Sequence, residues 1–238
     1  MKRKTMFIVM IVLFFVLIFG IAQAWGNLSI GGTAGYYSPK FGEINSRYLG
    51  NLTDAWGSPM GLELEGNFAS GIMVDYDISP NIFIRGEYNK FVSKKSGTWY
   101  PEIYSQGTIV YKNEYNLIEK LVAMPIILSG VYKFSSEKSR CSYAGVGVCL
   151  FSTKFNESLE IKKYRSGDLV NVIPLHSISD NDKSIGYQAL AGMKFKMKDY
   201  SLAGEIRYIV AKAEMKKFYT TVDLGGFSMG IVASTNFK

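Results

Sequence analysis

Polar and apolar residues alternate with a period of two along much of this chain, and the same partition returns in segment after segment. Near the C-terminus Phe227, Met229, Ile231, Ala233, Thr235 and Phe237 occupy the odd positions, with Ser228, Gly230, Ser234 and Asn236 between them. Over 201–211, Leu202, Gly204, Ile206, Tyr208 and Val210 share one face, and Glu205 and Arg207 share the other. Over 81–91, Ile82, Ile84, Gly86 and Tyr88 oppose Arg85, Glu87 and Asn89. A period of two marks strands with one apolar face. It predicts strands at 27–37, 69–79, 81–94, 117–134, 141–155, 184–197, 201–214 and 222–237.

Alternation alone does not say which face is buried. A soluble sandwich turns its apolar face inward, whereas an outer-membrane barrel turns it to lipid and keeps polar residues inside. The connections decide. Segments 79–81, 135–140 and 198–200 read as tight turns, while 38–68, 92–116 and 154–183 are long and 215–221 is shorter. Short turns at one end and long loops at the other are the layout of outer-membrane barrels, short side to the periplasm. The fold class is therefore all-β, a closed antiparallel transmembrane β-barrel of eight strands. The stretch 157–175 either extends its neighbouring strands or adds two more to make ten. Extension is expected, because Glu157, Glu160, Lys162, Lys163 and Asp168 would be costly facing lipid.

The N-terminus agrees with export. Lys2, Arg3 and Lys4 precede the uncharged run 6–21 and then Ala22-Gln23-Ala24, the order of a signal peptide cleaved after Ala24. A retained helical anchor is the alternative reading of that run. Cleavage divides the chain into a signal peptide, 1–24, and a barrel domain, 25–238, exported to the bacterial outer membrane. It lowers the formal charge from +7, the difference of 27 and 20, to +4, since only three basic residues leave. With no Lys/Arg-rich block in the mature part, nothing points to nucleic acid as a partner. Gly (24), Tyr (16) and Phe (15) are abundant and Pro (6) is scarce, which favours strands.

The candidate site is a set of charges on the inward face: Asp75, Asp77, Arg85, Glu87, Lys194, Glu205 and Arg207. A three-residue turn at 79–81 sets Ile78 opposite Ile82 and, counting back, Asp75 opposite Arg85. Unpaired charges in an enclosed lumen cost several kcal/mol. The cluster is thus an ionic network filling a narrow barrel, with a charged pore constriction as the other reading. Eight strands leave an interior just wide enough for side chains to fill.

No catalytic, cofactor or metal site is expected. His176, the single histidine, lies beside Ser177 in the third long loop, with Ser179 and Asp180 following, and loop neighbours rarely meet in triad geometry. Cys141 and Cys149 fall on one strand about 26 Å apart, beyond the reach of a disulfide. Asn51 and Asn156 match a glycosylation pattern that bacterial export would leave idle. Trp99, Tyr100, Tyr104, Tyr111 and Tyr115 either grip a partner from the second long loop or are strand residues and interface anchors.

The run Met124-Pro-Ile-Ile-Leu-Ser-Gly-Val-Tyr-Lys-Phe134, followed by Cys141-Ser-Tyr-Ala-Gly-Val-Gly-Val148, resembles the small outer-membrane β-barrel family that includes OmpX-like and OmpW-like proteins. The matching positions are Pro125, Tyr132, Phe134, Tyr143, Gly145 and Gly147; Lys238 departs from the family's terminal aromatic. The resemblance implies a non-enzymatic barrel that supports the envelope or passes small apolar solutes. The alternative it carries is a surface adhesin or interaction protein acting through its extracellular loops. Partners implied are outer-membrane lipid, the barrel assembly machinery and a surface ligand at the long loops.

Overall fold

The computed structural model describes residues 28–41, 64–106, 109–136 and 139–237. The leader 1–24 and Asn51 lie outside the described residues. The strands are β1 (Leu28–Phe41), β2 (Asn67–Ser79), β3 (Ile82–Gln106), β4 (Ile109–Ser136), β5 (Arg140–Arg165), β6 (Asp168–Lys196), β7 (Tyr200–Met215) and β8 (Thr220–Phe237). Each pairs antiparallel with its neighbours in sequence, and β1 closes on β8 from Leu28↔Phe237 onward, so the eight strands form a closed barrel. Closure leaves no edge in the ring, which lets a β-structure sit in lipid without unpaired backbone groups.

The period-two pattern becomes a radial one. Ile82, Ile84, Tyr88, Leu202, Ile206 and Tyr208 are exposed on the outer wall, whereas Arg85, Glu87 and Glu205 are buried inside. Apolar outside and charged inside is the polarity of a transmembrane barrel. The inner wall is tight enough to demand glycine where β1 meets β8. Gly35 and Gly230 face each other, and a Cβ on either would collide with the backbone of the opposite strand.

Two expectations are corrected. Residues 92–106 and 109–116, and 154–183 apart from the turn at 166–167, are strand, not loop: β3 to β6 run for 25 to 29 residues, whereas β1, β2, β7 and β8 have 13 to 18. A bilayer needs only about 9–11 residues per strand. Beyond the barrel the outward face need not be apolar, so the alternation that identifies membrane strands disappears there although the ladder continues. The stretch 157–175 accordingly extends β5 and β6 around a turn at Ser166 and Gly167. The second correction is local. The β2–β3 turn is two residues, Pro80 and Asn81, with Ser79 opposite Ile82 and a register shift at Ile78. The shift absorbs the difference, and Asp75 is paired with Arg85.

Candidate functional site: the sealed lumen

Alternation places Asp75 and Asp77 of β2, Arg85 and Glu87 of β3, Lys194 of β6, and Glu205 and Arg207 of β7 on the lumen side. Their side chains meet at the level of the turn-side half of the barrel. The Arg85 guanidinium is fully buried and donates through Nε to Asp75 Oδ1 at 2.6 Å and through Nη2 to Asp75 Oδ2 at 3.1 Å. Its Nη1 donates to Glu205, which also accepts from the Tyr143 hydroxyl. Arg207 donates to Glu87 and, through Nη2 at 2.5 Å, to the second oxygen of Glu205. Lys194 Nζ donates to Asp75 at 3.1 Å, and Lys133 Nζ to Asp77 at 2.6 Å.

Four carboxylates therefore meet four cations, and the formal charge of the layer is zero. Thr33 and Asn89 extend the hydrogen bonding to β1, since Thr33 donates to Asn89, which donates to Glu87. The layer thus ties together side chains from β1 to β7. Buried ion pairs barely stabilise relative to apolar packing, but breaking one partner leaves an uncompensated charge. Their contribution is to fix which strands face each other.

Sequence reasoning missed several members. Lys133 and Tyr143 belong to the layer, and Phe83 sits at its centre with Arg85, Lys133 and Lys194 at 5.4, 5.3 and 5.5 Å from its ring centroid. Such cation–ring contacts add attraction where water is excluded. Lys133 was legible in principle, because it shares the alternation that puts Val131 inside; Tyr143 and Phe83 look like ordinary barrel aromatics until the register brings them onto the charges. Glu119 and Glu157, opposite each other on β4 and β5, are also buried.

Toward the extended end, the lumen is filled by Tyr37, Phe91, Leu121, Ile127, Phe151, Phe155 and Phe218 among others. Phe155 and Phe218 stack edge to face at 4.8 Å, and Tyr37 and Phe91 at 5.0 Å. Between this apolar plug and the charged layer lies a cavity of about 50 Å³ bordered by Thr33, Asn89, Phe91, Phe151, Glu205 and Arg207. That volume has room for a few waters at most.

The remaining candidates do not converge on chemistry. His176 is in a strand rather than a loop, its backbone opposite Leu159, because β6 continues through the region. Cys141 and Cys149 are both free and buried. Residues 99, 100 and 104 lie in β3, and 111 and 115 in β4, so these aromatics belong to strands. Among the described residues no group of three His, Cys, Asp or Glu is placed to hold a metal ion.

No protein-family model matches the chain, and no curated protein matches it by sequence. Its fold is similar to solved small outer-membrane barrels. Neisserial surface protein A is 14% identical, with a TM-score of 0.42 over 89% of this chain and 96% of that one. The outer membrane protein OprG from Pseudomonas aeruginosa is 12% identical, with a TM-score of 0.46 over 89% and 96%. The attachment invasion locus protein Ail of Yersinia pestis is 12% identical, with a TM-score of 0.31 over 87% and 96%.

Proposed function

We propose that this chain is a non-enzymatic outer-membrane protein whose closed barrel anchors a rigid β-sheet outside the cell, and that the sheet, rather than the lumen, meets its partner. The supporting observation is the contrast within one molecule: the lumen is sealed twice, by a neutral ionic layer and by an apolar plug, while β3 to β6 continue well past the ring. Ladder pairs run from Phe91↔Ala123 to Gln106↔Ile109, and the β5–β6 ladder reaches Arg165↔Asp168. Fifteen residues at about 3.3 Å each reach roughly 50 Å along the strand. An envelope protein acting only as a plug has no use for such an extension.

Passage of small apolar solutes through the lumen loses support on this reading, because among the described residues buried side chains of the ionic layer and of the apolar plug occupy it at two levels. The outer membrane as location, and export through cleavage after Ala24, are part of the proposal. It is tested by refolding the mature chain into planar bilayers and by shortening β3–β4 and β5–β6 to the barrel rim. The expected result is an electrically silent barrel whose shortened form still migrates as a folded, heat-modifiable species but no longer supports cell adhesion. Stable ohmic conductance through the intact chain, or adhesion unchanged by the shortening, would overturn the reading.

A further inference from the structure

The outer wall of the barrel differs at its two ends. Followed from the turn end toward the extended end, the outward apolar run gives way to an exposed lysine on six strands: Lys40, Lys90, Lys120, Lys154, Lys183 and Lys212. Of the other two strands, β8 reaches Asp223, opposite Lys212, and β2 reaches Ser70, opposite Lys90. At the turn end the outward positions carry Ile78, Tyr132, Phe134, Phe195 and Tyr200. There Lys133 and Lys194 point into the lumen and bind Asp77 and Asp75, and the exposed cations among the described residues are Arg140, Lys196 and Lys198.

The lysines also sit at a defined depth. On β4 the outward residues from Tyr132 to Val122 span ten residues, which at about 3.3 Å each and a tilt of roughly 40° cover about 25 Å, the height of the apolar band of such barrels. Lys120 is the next outward residue, just past the hydrocarbon. Lys94 of β3 stands directly opposite it, and Lys154 of β5, paired with Val122, is its diagonal neighbour. Like charges directly opposed on adjacent strands repel. None of these three lysines has an ion-pair partner among the described residues. A folded barrel that gathers three unneutralised ammonium groups at headgroup depth is complementary to an anion held at that depth.

We propose that Lys94, Lys120 and Lys154 form a headgroup site for phosphate-bearing lipid of the leaflet at the extended rim. The lipid's acyl chains lie on Val122, Met124, Ile126 and Leu150 directly beneath. This rests on the membrane-barrel reading above. Lysine suits the role because its long stem runs along apolar surface while the ammonium reaches the interface. The contrast between the rims gives the site a second consequence: the barrel distinguishes a leaflet rich in phosphate from one that is not, which fixes its depth and orientation.

The test uses the refolded full barrel in phosphatidylcholine vesicles containing either bis-phosphorylated lipid A or its dephosphorylated counterpart, with protein-bound lipid counted by native mass spectrometry. Wild type should retain the phosphorylated lipid preferentially. Replacing Lys94, Lys120 and Lys154 together by Gln should cut that retention roughly a hundredfold, at about 1 kcal/mol for each lysine near an anionic surface. The triple Arg replacement should keep it, and Lys196→Gln with Lys198→Gln at the turn end should not change it. Equal retention by wild type and the triple Gln form, with both showing heat-modifiable folding, would overturn the headgroup site and leave the membrane reading intact. Complete displacement of the lipid by soluble heparin would overturn it in favour of a general polyanion surface. Failure of wild type to enter vesicles at all would overturn both readings.

Discussion

Within the ring every strand has two neighbours; past the rim, β3 and β6 have one. Inside the ring the register is over-determined, because each inward residue faces a lumen with no room for a misplaced group and each outward residue faces lipid. Beyond it, neither constraint holds. The extension is instead held by polar pairs on its surface: Asn116 donates to Glu114 at 3.1 Å, Thr98 donates to Asn116 at 2.6 Å, and Lys162 lies within 3.5 Å of Glu114. Its free edges invite pairing with other chains. Yet Pro101 on β3 and Pro174 on β6 each fall at a register shift, and proline with a bulge is how natural edges are blunted. Nearer the rim, side chains cover the edges, with Asn67 donating to the Val92 carbonyl and Asp180 accepting from the Lys217 amide. The comparison teaches that one continuous ladder has two sources of stability, enclosure in the ring and surface pairing outside it.

The largest effect expected from breaking this contrast is in the ring. Arg85→Met should destabilise the barrel by about 3–5 kcal/mol, since Lys194, Arg207 and Lys133 are then left to balance the layer's four carboxylates and one negative charge goes uncompensated. Adding Asp75→Asn to it should recover part of the loss, giving a coupling of at least ~1 kcal/mol. Urea titration of the chain in bilayers measures both; strictly additive losses would mean that the two side chains do not act as a pair.

A matched pair of arginine substitutions compares the two outer surfaces. Ile206→Arg, at mid-height on the ring, should cost about 2–4 kcal/mol. Val172→Arg, also exposed but on the extension, should stay within ~0.5 kcal/mol. Similar costs at both sites would place the extension in lipid and move the membrane boundary outward.

The smallest effect is with pH. Hydrogen bonding from Asn116, with further help from Tyr164 and Lys162, holds the Glu114 carboxyl below its ordinary value. A carboxyl depressed by folding contributes stability that is complete above its unfolded pKa and is lost as pH falls through the folded value. Acidification below the usual carboxylate range should therefore loosen β4 and β5 near residues 114 and 162 while the ring stays closed. Amide protection, corrected for intrinsic exchange rates, should fall there first; simultaneous loss in the ring and the extension would show that the two are one cooperative unit.

The sequence by itself determined the class of the fold, because lipid imposes its pattern residue by residue: Ile82, Ile84, Leu202 and Ile206 must be apolar wherever the neighbouring strands lie. It also determined the inward face of Arg85, Glu87, Glu205 and Arg207, since alternation leaves them no other side. Only the tertiary structure decided who meets whom across the lumen. Arg85 and Glu205 are 120 residues apart in sequence, and Lys133, Phe83 and Tyr143 join the layer solely because closure of β1 on β8 fixes the height of every strand. The length of β3 to β6 was hidden for the converse reason. Outside the bilayer, hydrogen bonds between backbones can propagate a ladder with no demand on side-chain polarity, so the sequence there carries no alternation to read.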